Sequence, residues 1–389
     1  MPVGSEQAKA GLTINSGLPA MSRAAVLSAY RQPVEVREIE IPEVEADAIV
    51  VAVEASTMCG TDVHIVDGHY ESTPLPKLPI ILGHEIIGRV VALGPERRTD
   101  SLNRPLGEGD LVAWAYPWCD RCYWCTIAKQ PSLCENWRGY GWGPADQHPY
   151  LTGGFSEYCY VLPHCKVLKV PANIDPAVAA SATCAFRTVV HGFEAAGGVR
   201  INETVVIQGS GPVGLYALAY AIETGAAQAI CIGAPAERLA IANRWGAVRT
   251  LDIGSTDLVE RKSVVQELTE GRGADLVVEC TGVADAFEEG FDLVRRGGRY
   301  LVLGQSDPRA SKVHGTHINL RQLTVLGTVS ADVSHYYGAL RFIADHGEKY
   351  DFDALISKRY GLNEVDDALD AMRDHRETKP VIVPSLAPS

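Results

Sequence analysis

Across residues 24–53 apolar and polar positions alternate in short runs broken by Pro33 and Pro42. A period of two with such breaks predicts antiparallel strands joined by turns. The apolar run 49–55, and Leu111-Val112-Ala113-Trp114 after the turn Gly107-Glu108-Gly109-Asp110, extend this to a β-rich, barrel-like first part. A helix-like stretch follows at 177–180, and beyond residue 200 the period changes. Thr204-Val205-Val206-Ile207-Gln208 reads as a buried strand, the glycine-rich turn after it opens a helix, and residues 215–222 are apolar almost all round. Further short apolar runs at 229–232, 276–280, 300–304 and 323–327 are separated by helical segments. That alternation predicts a doubly wound parallel sheet, so the fold class is α/β with a β-rich partner domain.

Composition narrows the class without choosing a function. A chain of 389 residues, 46% hydrophobic and 21% charged, buries a large core and defaults to two domains. Its formal net charge of -13 argues against nucleic acid or an anionic membrane as partner. There is no run of eighteen or more apolar residues, and residues 1–20, rich in Gly, Ala and Ser, read as a disordered tail and not as a secretory signal. Ten cysteines without a signal point to metal ligation before disulfides, and the expected location is the cytoplasm.

Two stretches carry ligand chemistry. Cys119-x2-Cys122-x2-Cys125-x8-Cys134 offers four thiolates at a spacing that closes a tetrahedral zinc shell, which makes that site structural. The second set is looser: Cys59-Gly60-Thr61-Asp62-Val63-His64, then Gly83-His84-Glu85 before an apolar strand. A lone His is more often a satisfied core or loop residue than a ligand, and Cys184, in an apolar run, reads by composition as a core cysteine. Together, however, two Cys and one His with a fourth position open match a catalytic zinc. In the second half Gly209-Ser210-Gly211-Pro212-Val213-Gly214, between strand and helix, forms a dinucleotide fingerprint. Its bare backbone admits a pyrophosphate to the helix N-terminus.

Cys59 to His64 together with Gly83-His84-Glu85-x-x-Gly88 resembles the zinc-dependent medium-chain alcohol dehydrogenases, over nearly the whole chain from Met21 to Pro384. The resemblance implies a GroES-like catalytic domain at 21–187 with a structural-zinc lobe at 115–140, a Rossmann NAD(P) domain at 188–329, and a return to the first domain at 330–389. That return implies helices at 336–346 and 365–373 and strands at 355–359 and 381–383. It also makes Cys184 the remaining ligand of the catalytic zinc, places Thr188 at the start of the coenzyme domain, and puts Lys379 near the pyrophosphate, where a solvated lysine is the bland alternative. The family has one residue fewer before the last lobe cysteine, so Gln130-Pro131-Ser132 is expected to bulge, and residues 95–105 look longer and more charged than its usual turn. The aromatic insertion 135–153, with Trp137, Tyr140, Trp142, His148 and Tyr150, either lines a substrate pocket or packs its own loop down. Relatives form dimers and tetramers, so a homodimer or homotetramer is expected.

The implied reaction is reversible oxidation of a primary or secondary alcohol to an aldehyde or ketone, with hydride passing to NAD or NADP. Zinc on Cys59, His84 and Cys184 activates the alcohol oxygen, and Thr61 relays the proton by way of the coenzyme ribose to His64, for which an exposed helix residue is the alternative. Asp62 orients His84 through its other ring nitrogen, and Glu85 is either a ligand or a neighbour of the ion. About twenty residues past the glycines an acid normally holds the ribose of NAD. Here the position is Gly233, which makes NADP admissible and slightly favoured, with Arg238 as a phosphate contact or an ordinary helix residue. The aromatics suit a bulky or cyclic alcohol. Alternatives are a polyol dehydrogenase of the same family, a zinc-free quinone or enoyl reductase, and an inactive binding protein on this fold.

Overall fold

The computed structural model describes residues 17–304 and 309–387. Most of the expected N-terminal tail, residues 1–16, lies outside them; Leu18 packs against the core, and the Ala20 carbonyl accepts from Ile41 N at 3.0 Å.

Among the described residues three sheets form. The β-rich part holds a three-stranded sheet, Glu35–Glu40, Met21–Leu27 and Ile80–Ile81, and a seven-stranded sheet organised on Ile49–Thr57. That strand is buried along most of its length and pairs with Glu85–Leu93, Tyr158–Val161 and Val381–Ile382, all antiparallel. The register sets Thr57 beside both Glu85 and Val381, so residues far apart in sequence meet at one strand end.

The third sheet is six-stranded and wholly parallel, in the order Arg249–Asp252, Gln228–Gly233, Thr204–Gln208, Ala274–Glu279, Val294–Val302, Thr324–Gly327. The order reverses beside Thr204–Gln208, the switch point where doubly wound sheets open a crevice. The fold is thus the expected α/β pairing of a GroES-like and a Rossmann-type unit. Helix Pro212–Glu223 follows the first of these strands and is buried along most of its length, which explains a sequence apolar nearly all round.

The expected strand at 355–359 differs: Phe352–Leu355 is a 3₁₀ turn and the strand is only Arg359–Tyr360. Its apolar residues satisfy a core through a turn, a periodicity that short runs do not distinguish from a strand. The expected bulge at 130–132 is a 3₁₀ turn, Pro131–Leu133, beside Cys134. Residues 95–105 are ordered by Asp100, whose Oδ1 accepts from Leu102 N and Arg104 N at 2.9 and 3.0 Å and whose Oδ2 accepts from Arg104 Nε at 2.7 Å.

Candidate active site

Three pieces of chain bring the proposed ligands together. Strand Ile49–Thr57 ends at helix Gly60–Val66, with Cys59 as its N-cap. Asp62, in the first turn, accepts from Cys59 N at 2.9 Å and from Gly83 N at 3.1 Å, and its Oδ1 lies 3.3 Å from His84 Nδ1. One buried carboxylate therefore fixes the segments carrying both residues and leaves the other ring nitrogen of His84 to face the cluster. Cys184 arrives on a single π-helical turn, Ala182–Phe186, of the kind often found at functional sites. One ligand atom from each of Cys59, His84, Glu85 and Cys184 lies within 4.8 Å of the others.

The donor set fits zinc. Hydrogen bonding from Cys184 draws the Cys59 thiol well below its ordinary range, and the same contact, with burial, pushes Cys184 well above it. Burial pulls His84 down, but Asp62 and Cys59 together hold it well above the usual imidazole range. Without an ion these groups share protons, and a dication resolves that arrangement by replacing them. Cys119, Cys122, Cys125 and Cys134 also converge within 4.8 Å, with backbone N–H groups of Cys119 and Asn136 donating to Cys134 Sγ at 3.3 and 3.4 Å.

Lys379 is a buried residue and not a solvated one. Its side chain is 3% exposed, and its Nζ sits 2.7 Å from both oxygens of Glu85, to which Thr57 also donates. Met58 N donates to the Pro380 carbonyl at 2.9 Å, and the strand register delivers the lysine to the ligand cluster. Burial raises the Glu85 carboxyl, to about 7, against the pull of Lys379. Three donor contacts thus fall on its two oxygens, while the carboxylate stays within the same group as Cys59, His84 and Cys184.

Cys59 Sγ donates to Thr61 Oγ1 at 3.7 Å, and His64 is half-buried with its ring against His69. The insertion 135–153 forms an aromatic wall: Tyr70 meets Trp142 edge-on at 5.1 Å, and Trp142, Trp137 and Tyr116 follow at 6.2 Å each. A cavity of about 210 Å³ opens between Trp137 and Trp142. Sequence reasoning missed Arg187. It is buried, with its guanidinium 5.6 Å from the Tyr116 ring centroid and 5.1 Å from that of Tyr336. The available signal was a cation inside the apolar run Cys184-Ala185-Phe186-Arg187-Thr188.

At the parallel sheet's switch point Gly211 caps helix Pro212–Glu223, with Pro212 and Val213 in its first turn. A Cβ at Gly214 would fall 1.9 Å from the Gly209 carbonyl oxygen, so only glycine lets helix and turn pack. The adjoining crevice, about 220 Å³, is lined by Gly209, Gly233, Ile253, Leu258 and Thr281. Any Cβ at Gly233 would come within 2.5 Å of Ser210 Oγ and 2.8 Å of Ser210 N, so packing against the glycine-rich turn already accounts for this glycine. Arg238 donates from Nε to Thr378 Oγ1 at 3.1 Å and from Nη2 to the Glu377 carbonyl at 3.2 Å. Thr188 lies half-buried in helix Arg187–Ala195.

With this geometry in place, the similarities are specific. Residues 45–172 match the alcohol dehydrogenase GroES-like domain and residues 212–345 the zinc-binding dehydrogenase domain. 5-exo-hydroxycamphor dehydrogenase of Pseudomonas putida is 33% identical over 94% of this chain and 99% of its own. An alcohol dehydrogenase structure from Thermotoga maritima is 34% identical, with a TM-score of 0.88 over 94% of this chain and 100% of its own. A Sinorhizobium meliloti structure of the zinc-binding dehydrogenase type, bound to NADP, is 28% identical with a TM-score of 0.81 over 94% and 100%. The chain belongs to the zinc-dependent medium-chain dehydrogenase/reductase family. Within it, the chain is an oxidoreductase of the alcohol or polyol dehydrogenase type. Among the described residues no helix is long and apolar enough to cross a membrane.

Proposed function

We propose that this protein is a zinc-dependent alcohol dehydrogenase that oxidises a bulky or cyclic alcohol reversibly to its carbonyl with NADP or NAD. The observation that carries the reading is the convergence of Cys59, His84 and Cys184 donor atoms within 4.8 Å, next to a nicotinamide-type fold. These three residues would hold the catalytic ion, with Asp62 orienting His84. Cys119, Cys122, Cys125 and Cys134 would hold a second, structural one.

Bound zinc supplies a Lewis acid that makes the alcohol proton easier to lose, and the nicotinamide accepts the hydride. The chain's own groups do the rest. Gly209 to Gly214 and the helix N-terminus receive the coenzyme pyrophosphate. Lys379 and Thr57 donate to Glu85 and fix its carboxyl group beside the ligands. The Thr61 hydroxyl, at the edge of the cluster, would accept the alcohol proton, and His64, one helical turn on, would take it toward solvent. Tyr70, Trp142, Trp137 and Tyr116 exclude water and present flat apolar faces, which supports a ring-bearing substrate. The relative named for 5-exo-hydroxycamphor, itself a bulky cyclic alcohol, favours the same class.

A panel of cyclic, aryl, straight-chain and polyol substrates, assayed with both coenzymes on zinc-replete protein, tests the proposal. Reduced-coenzyme absorbance rising fastest with cyclic alcohols is the expected outcome. No turnover of any alcohol, or turnover confined to polyols, would overturn it.

A further inference from the structure

We propose that His69 completes a stacked imidazole pair with His64, seating the His64 ring so that the proton released by the substrate leaves that ring for solvent. This rests on the reading of His64 as the inner end of the proton path. The two rings lie nearly parallel, with centroids 4.7 Å apart and planes inclined by 18°. The chain builds that geometry deliberately. Helix Gly60–Val66 ends at Asp67, Gly68 turns the backbone at a φ of +81°, and His69 N donates to the His64 carbonyl at 3.0 Å. The second ring is thereby folded back over the first.

His64 needs such a support. Its Nδ1 is buried with no protein hydrogen-bond partner, so no hydrogen bond at that atom fixes the ring plane. Its Nε2 overhangs Gly60, where a Cβ would lie 3.8 Å away, one residue from the Thr61 hydroxyl. His64 is half-buried and His69 exposed, so the pair runs from the site edge to water. A histidine that merely covered the turn would not have to lie parallel to another ring.

The charges around the pair favour release. Burial, then the charge of His69, hold His64 below the ordinary imidazole range, while Cys59 and Asp67 act in the other direction. Asp67 is itself paired at 2.9 Å with Arg373, on helix Val365–Arg373, the helix packed against Gly60–Val66. A proton taken up by His64 is therefore not retained. The N–H bond of its imidazolium breaks, the electron pair stays on nitrogen, and the proton passes to water at the exposed His69. The alcohol's other two electrons have already left with the hydride, so no further oxidant or reductant is required.

The test uses the full-length, zinc-loaded enzyme and two variants. His69→Phe keeps a flat ring but removes the charge, and His69→Ala removes both. Imidazole NMR titration of His64 and the pH profiles of kcat and KM are the readouts. The midpoint of His64 should rise by about half a pH unit or more in both variants, and the acid limb of kcat should move with it. At neutral pH His69→Ala should lose roughly threefold or more in kcat with little change in KM, and added imidazole should restore part of the loss. His64 midpoints and acid limbs superimposable on the parent enzyme in both variants would overturn the proposal. An enzyme that oxidises no alcohol at all would instead overturn the dehydrogenase reading on which it rests.

Discussion

Replacing Lys379 by Met probes the buried pair that links the C-terminal strand to the ligand cluster. Lys379 and Glu85 are 3% and 0% exposed, so solvent screens neither, and removing one partner leaves a buried carboxylate unmatched. Breaking such a pair costs about 3–5 kcal/mol, and Glu85 escapes part of that cost by taking up a proton. Its carboxyl, already raised to about 7 with the lysine present, rises further without it. A raised native carboxyl reverses the usual pH dependence. Parent and variant both lose about 1.4 kcal/mol per pH unit from the unfolded glutamate value of about 4.3 up to about 7, where the parent carboxyl ionises, and above that only the variant goes on losing stability, until its own higher native value is reached. Unfolding midpoints of parent, Lys379→Met and Lys379→Met/Glu85→Gln across pH 5 to 8 measure this. At about 2–4 °C per kcal/mol, the deficit of the single variant should stay nearly constant below pH 7 and widen by roughly 3–6 °C between pH 7 and pH 8, and the double variant should remove that widening. A single variant with a pH-independent deficit, or a double variant no better than the single, would refute the reasoning.

Other outcomes follow from the same structure. Gly233→Asp should weaken both coenzymes, because its Cβ must displace Ser210 of the glycine-rich turn; a clean switch to NAD with unchanged kcat would contradict this. For the parent enzyme, kcat/KM with NADP should equal or exceed that with NAD, and a wide preference for NAD would sink the reading of Gly233 as a position open to a 2′-phosphate. Asp100→Asn should lower the unfolding midpoint by an amount corresponding to about 1–3 kcal/mol near neutrality. Burial opposes it, but hydrogen bonds from Arg104 and Leu102 hold the Asp100 carboxyl below its usual range. Its stabilisation is therefore present above the unfolded value of about 3.9 and lost as pH falls through the depressed native one, so parent and variant should converge in acid. Convergence at alkaline pH instead would contradict that sign.

Local pattern carried the sequence reading a long way, and distance in the chain limited it. The strand, glycine turn and helix at 204–223 were legible because a few adjacent residues impose both the backbone path and its chemistry. The four lobe cysteines were legible for the same reason, since their spacing alone confines them to one loop. Cys184 was not: by its neighbours it is a core cysteine, and only the π-helical turn at Ala182–Phe186, set by packing on other elements, presents it to Cys59 and His84. Lys379 shows the limit more sharply. Its place beside Glu85 depends on Val381 pairing with Thr57, more than three hundred residues earlier, and no local signal encodes that register. Arg187 was hidden likewise, because its tyrosine partners, Tyr116 and Tyr336, come from opposite ends of the chain. The aromatic insertion was readable as a choice between pocket lining and loop packing, and its run of mostly edge-on ring contacts from Tyr116 to Tyr70 shows the packing part of that choice.

The most direct test of the central claim is zinc-edge anomalous scattering from crystals of the zinc-replete protein, set beside the same measurement on Cys59→Ser. Two peaks are expected in the parent: one enclosed by Cys119, Cys122, Cys125 and Cys134, and one bound by Cys59, His84 and Cys184 with its remaining position free of protein. The variant should lose the second peak and its turnover while keeping the first. A parent map with Cys184 remote from His84, or a variant that still oxidises alcohols at the parent rate, would contradict the account.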